Sequence, residues 1–193
     1  MDTNLAYKEE PREEIIGGEF VMMSAPTINH TFVAGNIYNI FFNYLYGKRC
    51  TPIMDSGGLF LEEDTEQYQP DMMVVCDPDI IRPDGVHGAP DLVVEVLSPS
   101  TGRYDRGHKM DVYEKHGVRE YWIVSPEGRT LEQYVLENGR FVLRDMYAVY
   151  PEFMLKRMKP EEKAAIATEF KCTLFDDLSI PLERVFYRVN PVE

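Results

Sequence analysis

The sequence predicts an α+β, or mixed α/β, domain with a curved central sheet and a helix on each side. Three observations carry that prediction. The 193 residues, 44% hydrophobic and 27% charged, fit one soluble domain long enough to bury a core. Apolar residues recur at helical spacing in two places, with strand-like runs before, between and after them. The stretch Pro90-Asp91-Leu92-Val93-Val94-Glu95-Val96-Leu97-Ser98-Pro99-Ser100 is a nearly continuous apolar run, typical of a strand covered on both faces.

The elements follow in order. Glu14-Ile15-Ile16, the turn Gly17-Gly18 and Glu19-Phe20-Val21-Met22-Met23 read as an N-terminal hairpin over about 14–23. Ser24-Ala25-Pro26-Thr27 breaks the chain and supplies an N-cap. His30, Val33, Ile37, Ile40, Phe41, Tyr44 and Leu45 then mark a helix over about 28–46, closed by Gly47. Strands are expected at about 50–54 and 58–62, split by Asp55-Ser56-Gly57-Gly58, and at 70–76. Residues 77–89, with two prolines and two glycines, read as a loop. A strand at 91–97, a helix over about 104–116 and a strand at 120–124 come next. The turn Pro126-Glu127-Gly128 leads into a C-terminal hairpin at about 130–136 and 140–149. Phe175 to Phe186 reads as a short helical turn and a terminal lid. No repeat or long linker divides the chain, so residues 1–193 form a single domain.

Composition limits the functional classes. No run approaches ~18 apolar residues, which argues against a membrane span, and the polar, acidic first ten residues lack a signal-peptide core. Cys50, Cys76 and Cys172 are odd in number and widely spaced, giving neither a disulfide framework nor a CxxC zinc pair, and a reducing cytoplasm is the default expectation. The net charge of −13 lowers the expectation of nonspecific DNA binding, because phosphate-binding proteins usually show a basic face.

The chemistry is expected on two neighbouring strands. Side chains alternate, so Asp91, Val93, Glu95 and Leu97 share one face, and Leu92, Val94 and Val96 the other. A carboxylate among apolar residues needs a cation, a metal or a proton to compensate its burial. Asp71 opens the preceding strand, and two carboxylates brought together repel unless a cation lies between them. Lys109 precedes the apolar Val112 and Tyr113 by three and four positions, on the same side of its helix, and can meet both acids there. An acid pair with a lysine suits metal-assisted phosphodiester hydrolysis.

Pro70-Asp71, the run from Pro90 to Ser100, Asp105 with Lys109, and Gly117-Val118-Arg119-Glu120-Tyr121-Trp122-Ile123-Val124 resemble the Uma-two-type putative restriction endonuclease family of the PD-(D/E)XK nuclease superfamily. The Gly18-Glu19 hairpin, His30 after Pro26 and the region Phe175 to Leu182 also match, over roughly residues 10–187. The resemblance implies a restriction-endonuclease-like fold with a Mg²⁺ site. Asp71 and Glu95 match the metal-binding acids, Glu19 matches a further acid near the site, and Lys109 matches a lysine supplied by the following helix. The usual lysine two residues after the second acid is absent, because Leu97 stands there. DNA is the implied substrate, Mn²⁺ a substitute metal, and the family analogy admits a homodimer.

Structural readings stand beside these. Glu95 can pair with an arginine, Asp71 can form a turn after Pro70, and Lys109 can be an exposed partner of Asp105 at i, i+4. Glu19 can be a solvated turn acid. His30 is expected to be a cap or core residue rather than a metal ligand, and His108 and His116 surface or packing residues. Asp91, ~13 Å along the strand from Glu95, braces a loop. Tyr121 and Trp122 read as core, and Ser98 and Ser100 as an ST-turn and N-cap. Against the nuclease stands an interaction module that kept the fold without turnover, supported by the acidic charge and Leu97.

Overall fold

Two six-stranded sheets organise the chain, where one central sheet was expected. The computed structural model describes residues 13–54, 58–98 and 102–190. The expected break at 55–57 and the Ser100 cap lie outside these residues. The first third comprises β1 (Glu13–Ile16), β2 (Glu19–Met22), α1 (Ile28–Leu45), β3 (Thr51–Met54), β4 (Gly58–Glu62) and β5 (Glu66–Tyr68). The middle comprises β6 (Met72–Val75), β7 (Ile81–Arg82), β8 (Gly85–His87), β9 (Leu92–Val96), α2 (Gly102–Asp105) and α3 (His108–His116). Then follow β10 (Glu120–Ser125), β11 (Thr130–Glu137), β12 (Arg140–Ala148), α4 (Glu152–Leu155) and α5 (Pro160–Ala164). β13 (Glu169–Lys171), β14 (Ser179–Pro181) and α6 (Leu182–Val185) complete the tail.

The central sheet runs β12-β11-β10-β9-β6-β3, with β9 and β10 parallel and its other neighbours antiparallel. Period-2 alternation divides its core into two halves. On one face, Val94, Val96, Trp122 and Val124 pack on Val33, Ile37 and Phe41 of α1. On the other, Val93, Tyr121 and Ile123 meet Val112 and Tyr113 of α3 and Ile16, Leu59 and Tyr68 of the second sheet. Each fully buried Val, Leu or Ile contributes about 1.5–3 kcal/mol, so β9, buried along its whole length, is the axis of the domain. The helix α1 starts where Thr27 caps it, its hydroxyl accepting the His30 N–H at 3.2 Å. It ends before Gly47, which takes a left-handed φ of 73°.

Several expectations are corrected. The second sheet, β2-β1-β5-β4-β8-β7, uses segments too short or too polar to announce themselves. β8 lies in the stretch read as loop. Its Gly85 has φ of 151°, and a Cβ there would stand 2.2 Å from the Gly58 carbonyl oxygen, so the glycines allow the close β4–β8 pairing. The helix expected over 104–116 is two helices broken at Arg106-Gly107, where Gly107 leaves helical geometry. Cys50 and Cys76 form a disulfide, contrary to the reading of the cysteines as unpaired. The register Thr51↔Val75 extended by one residue sets these two directly across from each other, a proximity that sequence spacing does not reveal. The tail is no lid: Leu178, Ile180, Leu182, Val185 and Phe186 are buried in the α1-side core. Glu120 anchors it, accepting hydrogen bonds from the Trp122 indole, the Gln133 amide and the Thr173 backbone and hydroxyl.

Candidate active site

Strand register brings the two predicted acids together. β6 and β9 pair antiparallel through Met73↔Val93 and Met72↔Val94, so the next pair outward is Asp71 and Glu95. Residues directly opposite in such a pair hold their Cβ atoms about 4.5–5.5 Å apart, and like charges there repel. Asp71 stays because its Oδ2 accepts the Val96 N–H at 2.7 Å. Glu95 is buried, 4% exposed, and its Oε1 accepts from the Tyr113 hydroxyl at 2.8 Å and from Lys109 Nζ at 3.3 Å.

Lys109 is only 1% exposed. Asp105 and Lys109, an i, i+4 pair across the α2–α3 junction, lie 3.5 Å apart in the interior rather than on a solvated helix face. Its Nζ also lies 2.9 Å from Glu14 Oε1. One ammonium thus serves three buried carboxylates, and Asp71 adds a fourth acid beside them. Burial pushes the Glu95 carboxyl well above its ordinary value; the Lys109 ammonium pulls it down, while Asp105, Asp71 and Glu14 push it up. Burial opposes the Lys109 charge, yet Glu95, Glu14 and Asp105 outweigh it and hold the ammonium above its ordinary value. Burial, then the charge of Glu95, likewise pushes the Tyr113 phenol up, so it stays a donor. The cluster keeps a protonated lysine and an excess of negative charge that a proton or a cation must offset.

Asp71, Glu95 and Lys109 line one cavity of about 60 Å³, together with His30 from the first turn of α1. His30 Nε2 lies 3.2 Å from Asp71 Oδ1. Among the described residues the rest of the lining is uncharged, including Met23, Pro26, Thr31 and Ser98. The donor set fits a hard divalent cation: two carboxylates facing one cavity, with excess negative charge behind them. No three His, Cys, Asp or Glu side chains among the described residues already form a metal cage. Mg²⁺ itself tolerates that, being commonly bound through one or two carboxylates with water in its other positions.

Glu19 is not brought into this cluster. It stands exposed at the turn end of β2, opposite Ile16, while Glu14 on the same face reaches Lys109. Glu14 was missed, although alternation with buried Ile16 turns it inward. His30 lines the cavity beside Asp71, a proximity hidden in the sequence, which cannot tell that the first turn of α1 abuts the start of β6. Asp91 braces as expected, accepting the Cys76 N–H at 2.8 Å and pairing with Arg119 at 3.1 Å. His108 contacts Glu66 and His116 contacts Glu62, at 2.9 and 3.0 Å.

Comparison with known proteins agrees with this architecture. Residues 2–156 match the family model Uma2, described as "Putative restriction endonuclease". An uncharacterized protein of Synechocystis sp., slr1290, is 34% identical over 134 residues, covering 67% of this chain and 70% of that one. The crystal structure of a putative nuclease belonging to DUF820 from Anabaena variabilis superposes with a TM-score of 0.67. It covers 91% of this chain and 90% of its own at 16% identity, a likeness of fold. With the acid pair at the start of β6 and within β9 of a mixed sheet, the chain has a restriction-endonuclease-like fold and belongs to the Uma2 family of putative restriction endonucleases.

Proposed function

We propose that this chain is a Mg²⁺-dependent endonuclease hydrolysing DNA phosphodiester bonds, with Mn²⁺ as a substitute. One observation carries the reading: Lys109 reaches from α3 to within 3.3 Å of Glu95 Oε1, in the cavity that Asp71 also lines. A lysine from the helix can therefore act beside the second acid where Leu97 cannot. Asp71 and Glu95 would hold the cation. When bound, it polarises a phosphoryl oxygen and activates water. Lys109 keeps a fixed positive charge beside the acids, preorganised for charge developing on the phosphate. Tyr113 and Glu14 hold Glu95 and Lys109 in place, so Glu14 takes the tuning role expected of Glu19.

The test combines binding with cleavage. Calorimetry with Mn²⁺ should show one or two equivalents bound by the wild type and none by Asp71→Asn or Glu95→Gln. Supercoiled plasmid should be nicked by the wild type alone. Cleavage that persists in Glu95→Gln overturns the assignment.

A second reading, an interaction module without turnover, draws on the net charge of −13 and on the way Glu14 and Asp105 already occupy Lys109. It gains if the wild type binds no Mn²⁺ with or without duplex DNA.

A further inference from the structure

We propose that His30 is a nitrogen ligand of the cation, making this a mixed oxygen–nitrogen site that favours first-row transition metals over Mg²⁺. The inference rests on the reading that Asp71 and Glu95 hold a metal, and refines which metal the site selects. His30 is the one of the four histidines that lines the cavity. The Thr27 cap fixes the first turn of α1, and with it the position of the imidazole. The side chain is 13% exposed, and its Nε2 stands 3.2 Å from Asp71 Oδ1.

That separation has a chemical meaning. Two ligands about 2.1 Å from one ion, at adjacent corners of an octahedron, stand about 3 Å apart. His30 and Asp71 already hold that spacing, so a cation can take both without a shift of the backbone. Asp71 is anchored through Oδ2 by the Val96 N–H, and its Oδ1 is the atom turned to the imidazole. Neutral imidazole is a borderline donor that Mg²⁺ takes poorly and first-row transition ions accept readily. A set of two carboxylates and one imidazole therefore ranks Mn²⁺ and Zn²⁺ above Mg²⁺, whereas carboxylates alone would suit Mg²⁺.

The probe is Mn²⁺ added to the full chain, read by pulsed electron paramagnetic resonance and by calorimetry. In the wild type, bound Mn²⁺ should show the ¹⁴N modulation of a directly coordinated imidazole. His30→Gln should lose that modulation and about tenfold or more in Mn²⁺ affinity, with a smaller loss for Mg²⁺. His30→Asp restores an oxygen donor: it should bind Mn²⁺ without the modulation and narrow the preference over Mg²⁺. Circular dichroism of both variants checks that they fold. Bound Mn²⁺ without ¹⁴N modulation in the wild type, or modulation that survives in His30→Gln, overturns the role of His30 and leaves the acid pair standing. Failure of the wild type to bind Mn²⁺ at all overturns the metal reading itself, and this inference with it.

Discussion

Replacing Lys109 by Met removes the cation shared by Glu14, Glu95 and Asp105 while nearly keeping the volume of the side chain. The Nζ lies 2.9, 3.3 and 3.5 Å from their oxygens. At an effective dielectric near 20, each contact is worth about 5 kcal/mol of attraction, set against the cost of desolvating the ammonium. Breaking a buried pair by removing one partner costs about 3–5 kcal/mol. Proton uptake limits that cost. Holding a further proton at pH 7, beyond the raised Glu95 of the wild type, on a carboxyl whose ordinary value is about 4.5 costs about 3.4 kcal/mol, from 1.36 kcal/mol per unit. Lys109→Met should therefore lose about 3–4 kcal/mol at pH 7, a large share of the 5–15 kcal/mol of a typical domain.

The sign of the pH dependence follows. In the variant a second carboxyl beside Glu95 has a raised folded-state pKa, so its folded chain takes up one more proton than the folded wild type does. Its stability is greatest below the ordinary carboxylate value and falls by about 1.4 kcal/mol per unit as pH rises through the neutral range. Urea unfolding followed by the emission of Trp122, the only tryptophan and fully buried, reads this at pH 5.5, 7.0 and 8.5. Adding Glu14→Gln should restore part of the loss. A difference from wild type under 1 kcal/mol, or one that does not change with pH, would refute the reasoning.

Glu95→Gln in the metal-free protein should stabilise rather than destabilise. The raised carboxyl contributes its stability below 4.5 and loses it as pH rises through the folded value, so the melting temperature of the variant should exceed wild type by more as pH rises above 4.5 towards that value. Tyr113→Phe removes the 2.8 Å donor to Glu95 and should cost about 1–2 kcal/mol in urea unfolding, with weaker metal binding by calorimetry. Reducing Cys50–Cys76 opens a cross-link across 26 positions and should lower stability by about 3 kcal/mol, read from the urea midpoint with and without reductant. An unchanged midpoint would mean that the pair does not constrain the unfolded chain. Glu120→Ala strips the acceptor from Trp122, Gln133 and Thr173, leaving buried donors unpaired. It should cost about 3 kcal/mol or more and raise proteolysis within residues 169–190.

Much of this fold was legible because its signals are local. The alternation of Leu92 to Val96 announced a two-sided strand, and the structure divides those side chains between two cores as the period demands. The spacing from Val33 to Leu45 marked α1, and Thr27 its start. Less visible were elements made by pairing. β5 and β8 carry little apolar pattern and become strands because a neighbour supplies their hydrogen bonds. The Cys50–Cys76 bond and the inward turn of Glu14 are likewise matters of register and face across strands distant in sequence.

For the site, the sequence by itself marked the side chains that the proposed chemistry uses. Asp71 and Glu95 interrupt apolar strands, and a buried carboxylate demands a counter-charge wherever it lies. Lys109 lies on the apolar side of its helix. Only the tertiary structure decided who meets whom. It set Asp71 opposite Glu95, buried the Asp105–Lys109 pair, brought Glu14 rather than Glu19 to Lys109 and turned His30 toward Asp71. The reason is physical: burial and alternation are properties of one segment, whereas an ion pair or a metal site needs several segments to converge within about 3 Å, and the packing of the whole chain sets that distance.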